Sequence, residues 1–283
     1  MSGAPVSLAR NSAAASGFVP AARSAAISRD FVQKRFERRS VITLATYQKG
    51  NIDAPKLALV LPGRLDTKDY VHMRSHVDFF AEKGYLAVSF DPPGTWESPG
   101  NIDLFTTTNY IKAVNELIEY FGNKPTVLLG HSRGGSVAIL AGASNPTVKA
   151  IIAVMATYGP PSAPKPEAIQ VGFLLNHRDP PPGDRESKEQ KSFKLPLNYF
   201  EDGARYSTSA VLKDCQRPTL LIYGTRDEFT KPEKVKEVFE TIPGPKQIHE
   251  LDSDHDYRYN SQAIDEVNKI VERFLNEYSG SPT

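Results

Sequence analysis

Gly130-His131-Ser132-Arg133-Gly134 lies between the apolar run Thr126-Val127-Leu128-Leu129 and the run Val137-Ala138-Ile139-Leu140-Ala141. The order is strand, G-x-S-x-G, helix. A serine in that context sits on a sharp, strained turn with its hydroxyl exposed at the top of a sheet. Small residues flank it because a side chain at Gly130 or Gly134 would collide with the neighbouring strand or helix. The helix that starts after Ser132 aims backbone N–H groups at a developing oxyanion. A structural glycine-rich turn is the plainer reading of the five letters, and the strand before and helix after weigh against it.

A nucleophilic serine needs a base and an acid, in the chain order Ser, Asp or Glu, His on this kind of scaffold. Thr219-Leu220-Leu221-Ile222-Tyr223 reads as a strand ending at Gly224, which places Asp227 on the loop beyond it. Gln247-Ile248-His249-Glu250-Leu251 reads as the next strand, and His255 follows its end. A neutral imidazole past the last strand is placed to take the hydroxyl proton, and the carboxylate to fix its tautomer. His249 is the rival base, but it lies inside the strand. Glu228 is the rival acid, one residue further into the loop. Asp252, Asp254 and Asp256 read as a solvated turn around His255.

At these residues the chain resembles a serine hydrolase of the α/β-hydrolase fold. Asp91-Pro92-Pro93-Gly94-Thr95-Trp96-Glu97-Ser98 resembles that family's D-x-x-G-x-G-x-S loop, with Trp96 at a glycine position. Pro62-Gly63 resembles its His-Gly after the third strand, with Pro62 replacing the histidine. The resemblance implies a backbone oxyanion hole. Its donors are the N–H of Arg133 and of Arg64, with Leu65 as second choice, since Pro62 has no N–H. The short cap and the Gly94–Gly100 loop look most like small-cap esterases of the feruloyl or cinnamoyl type. The resemblance implies no cofactor, and its substrate is a small-molecule carboxylic ester. A peptidase or thioesterase of the same fold is the alternative, and a ligand-binding protein on a hydrolase scaffold the second.

Alternation of short apolar strands with helices from residue 41 predicts an α/β protein. It has a mostly parallel central sheet, helices on both faces and a small cap insertion. Val41 to Tyr47, Lys56 to Leu61, Leu86 to Phe90 and Lys149 to Met155 read as strands. Asp66 is placed to cap a helix reaching Lys83, and Thr107 to cap one carrying Ile111, Val114, Leu117, Ile118 and Phe121. Val267, Ile270, Val271 and Phe274 share one face of a C-terminal packing helix. The core is assigned to residues 41–158 and 213–278.

Residues 159–212 read as the cap, a loop-rich excursion with one or two short helices. Phe173, Tyr199, Phe200 and Tyr206 are its aromatic candidates to hang over the pocket, with Leu65, Trp96 and Tyr158 from the core side. His177 reads as a surface histidine. His72 and His76 have metal-ligand spacing but no third ligand near them in sequence, so no metal site is expected. His131 is expected to pack on the neck of the elbow.

In residues 1–40, Arg10, Arg23, Arg29, Lys34, Arg35, Arg38 and Arg39 face only Asp30 and Glu37. This reads as a disordered extension or an organelle-targeting segment, and not as a secretory signal. Residues 279–283 read as a disordered tail. The expected location is cytoplasmic, or an organelle if the extension is a targeting segment. The net charge of +1 offers no electrostatic case for nucleic-acid binding. Cys215 is the single cysteine, which excludes an intrachain disulfide, and no apolar run is long enough to span a membrane.

Overall fold

The protein is described by a computed structural model over residues 43–159, 163–183 and 189–279, with the backbone of Ala25–Ala26. Ten strands and eight helices are described. In chain order they are β1 (Ala25–Ala26), β2 (Ala45–Lys49), β3 (Leu57–Leu61), α1 (Val71–Glu82), β4 (Leu86–Phe90) and α2 (Thr107–Tyr120). Then come β5 (Thr126–His131), α3 (Arg133–Ser144), β6 (Val148–Val154), α4 (Pro166–Val171), β7 (Phe173–Arg178) and β8 (Lys191–Pro196). The chain closes with α5 (Asn198–Gly203), α6 (Thr208–Leu212), β9 (Thr219–Gly224), α7 (Pro232–Glu240), β10 (Lys246–Leu251) and α8 (Ser261–Ser279). Strand order in the main sheet is β1-β2-β4-β3-β5-β6-β9-β10. The strands from β4 to β10 run parallel, and β2 joins β4 antiparallel. Of residues 1–40, only Ala25–Ala26 are described, pairing with Thr46 and Ala45. The rest of that extension and residues 280–283 lie outside the described residues.

The period-2 alternation of β3 divides the core. Leu57, Leu59 and Leu61 face one layer with Tyr110 and Val114 of α2, Val137 of α3 and Val235 of α7. Ala58 and Val60 face the other, with Met73, Val77 and Phe80 of α1 and Val267, Ile270 and Phe274 of α8. Strands with helices on both faces are buried along their whole length and therefore mostly apolar, as β3, β4 and β5 are. The functional loops leave the carboxyl ends of β3, β5, β9 and β10, so the sheet delivers them to one edge.

Three expectations change. Asp66 does not cap α1. The helix starts at Val71 after an extended Tyr70 (φ −65°, ψ 145°), and Asp66 is buried among cationic side chains instead. The cap of α2 is Thr106, whose hydroxyl accepts from the Asn109 N–H at 3.1 Å. Thr107 is buried and hydrogen-bonded to Arg133. The first long strand begins at Ala45, with Val41 and Ile42 outside the described residues.

Residues 163–212 also differ from a loop-rich excursion. They hold three short helices and a hairpin in which Leu174 pairs with Leu195. The hairpin forms because Phe193 and Leu195 are buried at period 2 while the intervening Lys194 is exposed. His177 on β7 is exposed, as expected, and lies 3.0 Å from the Ser192 hydroxyl.

The turn from β5 to α3 has no space for a β-carbon at either glycine. One on Gly130 would stand 2.2 Å from the Gly134 carbonyl carbon, and one on Gly134 2.0 Å from the Leu61 carbonyl oxygen. Both obstacles are backbone. Gly134→Ala must therefore push β3 away from α3, at a cost of about 1–3 kcal/mol or more. Its thermal midpoint is expected to fall by several degrees. An unchanged midpoint would mean that the two elements are looser than described.

Candidate active site

Ser132 links β5 to α3 with φ 52° and ψ −117°. A non-glycine residue holds such a conformation only where its surroundings enforce it. Here the Ser132 N–H bonds the Val154 carbonyl at 2.9 Å, and the Ser132 carbonyl accepts from the Ser136 N–H at 3.1 Å. Its hydroxyl lies 2.8 Å from His255 Nε2, and His255 Nδ1 lies 3.0 Å from Asp227 Oδ1. Nδ1–H donates to the carboxylate, so Nε2 presents its lone pair to the serine hydroxyl. Held this way, an imidazole is able to take the hydroxyl proton, and the carboxylate to stabilise the resulting cation.

Asp227 sits on the loop after β9. Its Oδ1 also accepts the Phe229 and Thr230 N–H groups at 2.8 and 3.1 Å. Burial alone raises its pKa. The His255 partner and these N–H donors more than offset that, and hold it below the ordinary carboxylate range. Glu228 plays a different part. Its Oε2 accepts the His255 backbone N–H at 3.2 Å. His249 lies in β10, away from Ser132, and burial lowers its pKa.

His131 does more than pack the neck of the elbow. Its Nε2–H donates to the His255 carbonyl at 3.0 Å, and its Nδ1 lies 3.5 Å from Asp66 Oδ2. The His255 backbone is thus held at its N–H by Glu228 and at its carbonyl by His131. Asp66 stands behind His131, with Arg258 Nη1 at 3.4 Å and Arg178 Nε at 3.6 Å from its Oδ1. Burial pushes the Asp66 pKa up. The His131 ring and the two guanidinium charges overcome that and hold it far below the ordinary range. No signal in the sequence singled out Asp66 or Arg258 for this role.

The loop after β3 is fixed from two sides. Arg178 of β7 donates to the Arg64 carbonyl from Nη2 (2.7 Å) and Nε (3.1 Å). Trp96 Nε1–H donates to the Leu65 carbonyl at 2.9 Å. Trp96 has φ 46° and Leu65 φ 60°. Position 96 therefore keeps the left-handed backbone that a glycine favours, although a tryptophan stands there. The tryptophan's ring packs edge-on against Phe193 (5.4 Å) and Tyr70 (6.0 Å), so burial and the Leu65 bond offset the strain. As the first residue of α3, Arg133 has an N–H with no intrahelical acceptor.

The aromatic candidates separate by their surroundings. Tyr199 stacks on Phe105 at 5.4 Å and, with Phe200, belongs to the buried core. Tyr206 bonds the Thr108 hydroxyl at 2.7 Å on an exposed surface. Phe173 is half-buried, with Lys194 Nζ 5.0 Å from its ring. Tyr158 is buried, and its hydroxyl has no partner among the described residues. Phe229 was not expected. It is 64% exposed, yet its ring centroid lies 4.6 Å from that of His255. Its position two residues after Asp227 was the available signal.

His72 and His76 do not converge on one point. His76 meets Asn268 Oδ1 at 2.6 Å and Tyr257 at 2.8 Å. His72 instead approaches Asp66 and His131, and the three place ligand atoms within 4.8 Å of one another. This is the one cluster of metal-ligand type among the described residues. The two guanidinium groups on Asp66 already balance the charge that would draw a cation.

A family model described as alpha/beta hydrolase fold matches residues 58–195. The protein named palmitoyl-protein thioesterase ABHD10, mitochondrial, of Mus musculus is 22% identical over 240 residues, 81% of this chain and 77% of its own length. The solved structure of mouse alpha/beta hydrolase domain-containing protein 10 matches with a TM-score of 0.68 at 18% identity, covering 90% of this chain and 99% of its own. Est1E from Butyrivibrio proteoclasticus, solved with ferulic acid bound, matches with a TM-score of 0.65 at 19% identity, over 85% of this chain and 97% of its own. At such identities the structural likeness speaks for the fold. No described helix is long and apolar enough to cross a membrane.

The Asp66 cluster links stability to pH. A carboxylate whose folded pKa is depressed contributes stability above its unfolded pKa of about 3.9 and loses it as pH falls below that. Asp66→Asn is expected to lower the thermal midpoint at neutral pH and to flatten its decline towards about pH 3. Parallel acid limbs in the variant and the parent would remove Asp66 from this account.

Proposed function

We propose that this chain, which has the alpha/beta hydrolase fold, is a serine hydrolase that cleaves carboxylic esters through an acyl-enzyme intermediate. The observation that carries the reading is the hydrogen-bonded line from the Ser132 hydroxyl through His255 to Asp227, set on a strained strand-to-helix turn. Ser132 is the nucleophile, His255 the general base and then acid, and Asp227 the group that orients and stabilises the imidazole. The hydroxyl attacks the ester carbonyl as its proton passes to His255 Nε2. The tetrahedral oxyanion is received by the Arg133 N–H and by that of Arg64, with Leu65 as the alternative donor. Collapse expels the alcohol, which takes the proton from His255. Water activated by the same imidazole then hydrolyses the acyl-enzyme.

Thioesters are the second substrate class. Two matched proteins, from mouse and from Bos taurus, are named palmitoyl-protein thioesterase, and the same three groups serve either leaving atom. Both names also include "mitochondrial", which favours organelle targeting over a cytoplasmic location as the reading of residues 1–40. The exposed Phe229 ring beside His255 suits contact with an apolar acyl or alcohol group, and the half-buried Trp96 borders the same loops. Residues 159–212 are read as the cap.

Kinetics on matched phenyl esters and thioesters test the proposal. Ser132→Ala and His255→Ala should each lower kcat by on the order of a million-fold, and Asp227→Asn by roughly ten-thousand-fold. His249→Ala should stay close to the parent. Retention of more than a few per cent of activity by Ser132→Ala would assign the nucleophile elsewhere. A larger loss in Glu228→Gln than in Asp227→Asn would move the acid by one residue.

A further inference from the structure

We infer that the Arg133 side chain forms a subsite for a carboxylate on the substrate, a short spacer away from the ester carbonyl. The inference rests on the reading of Ser132 as nucleophile and adds the class of ester that it receives. Three cationic side chains are buried among the described residues: Lys68, Arg133 and Arg258. Lys68 is paired with Asp69 and Glu97 at 2.6 Å and with Asp91 at 3.3 Å. Arg258 is paired with Asp179 at 3.0 Å, Asp66 at 3.4 Å and Asp256 at 3.8 Å. Arg133 is 6% exposed and has no carboxylate partner among the described residues. It donates from Nη2 to the neutral Thr107 hydroxyl, and its guanidinium lies 5.4 Å from the Tyr199 ring centroid.

A charge carried into the fold calls for compensation. Beyond one hydroxyl and one ring Arg133 has only solvent, since none of its nitrogens is among the described buried atoms that lack a partner. The other two buried cations show how this molecule supplies it. Thr107 and Tyr199 use one N–H and cover the group without neutralising it. The remaining N–H groups of the fork match the two oxygens of a planar carboxylate. The residue's own backbone ties this cation to the reaction centre, since its N–H is the proposed oxyanion donor beside Ser132. A carboxylate arriving with the substrate completes the pairing that the protein lacks. The favoured substrates are then hemiesters or thioesters of short dicarboxylic acids, or esters whose alcohol carries an acid.

Phenyl hemiesters of succinic, glutaric and adipic acids, set against neutral phenyl esters of matched length, test the subsite. The readout is the ratio of kcat/KM for the acidic ester to that for its neutral partner. The parent should prefer one acidic ester by on the order of tenfold or more, and Arg133→Gln should lose that preference. Arg133→Lys should keep part of it, because charge remains while the fork is lost. Thr107→Val, which frees the guanidinium, should weaken it too. Equal ratios in the parent and Arg133→Gln, with neutral esters still hydrolysed, would overturn the subsite and leave the hydrolase standing. Hydrolysis of neither series by the parent would overturn both. Should Arg133→Gln fail to fold, the parent decides alone: a ratio of one or less at every spacer length refutes the subsite.

Discussion

The backbone contact between Gly134 and the end of β3 governs the rest of the site. With 2.0 Å between a β-carbon at position 134 and the Leu61 carbonyl oxygen, α3 lies against β3 and β5 as closely as backbone permits. That closeness forces the chain to reverse within one residue. Ser132 takes the strain at φ 52°, and its N–H and carbonyl are both engaged to hold it there. The same reversal turns the serine hydroxyl towards the ends of β9 and β10. It also starts α3 with unsatisfied N–H groups beside the hydroxyl. The exposed hydroxyl and the unsatisfied N–H groups thus share one steric cause.

The histidine is held with comparable firmness, but by electrostatics. Its ring is oriented by Asp227, its N–H by Glu228 and its carbonyl by His131. Behind His131 stand Asp66, Arg178 and Arg258, an arrangement in which each buried charge has an opposite neighbour. Arg178 also holds the Arg64 carbonyl, so a hairpin strand, the loop after β3 and the histidine loop share one charged cluster. Displacing one member would be felt in the other loops. Arg133 lies outside this balance, and that is why its lone buried charge points to substrate.

The parallel sheet, the elbow and the order of Ser132, Asp227 and His255 were legible because they depend on local patterns: short apolar runs, flanking glycines and polar residues just past strand ends. The β7–β8 hairpin was not, although Phe193 and Leu195 alternate with Lys194, because the prolines and charges around it read as loop. Asp66 illustrates a deeper limit. An aspartate at the apparent start of a helical pattern reads as a cap, and only the fold shows that the helix begins at Val71 and that two distant arginines and a histidine claim Asp66 instead. Trp96 shows another. Its glycine-like φ of 46° is sustained by a bond to Leu65 and by rings that meet it only in three dimensions. Phe229 was passed over because an exposed aromatic has no periodic pattern to mark it.

The central claim is that Ser132 is a nucleophile made reactive by His255. Labelling of the folded protein with a fluorophosphonate, followed by peptide mass mapping, tests it most directly. The account predicts one equivalent of adduct, located on Ser132 and absent from His255→Ala at matched exposure. A folded protein that stays unlabelled, or an adduct on another residue, would contradict it.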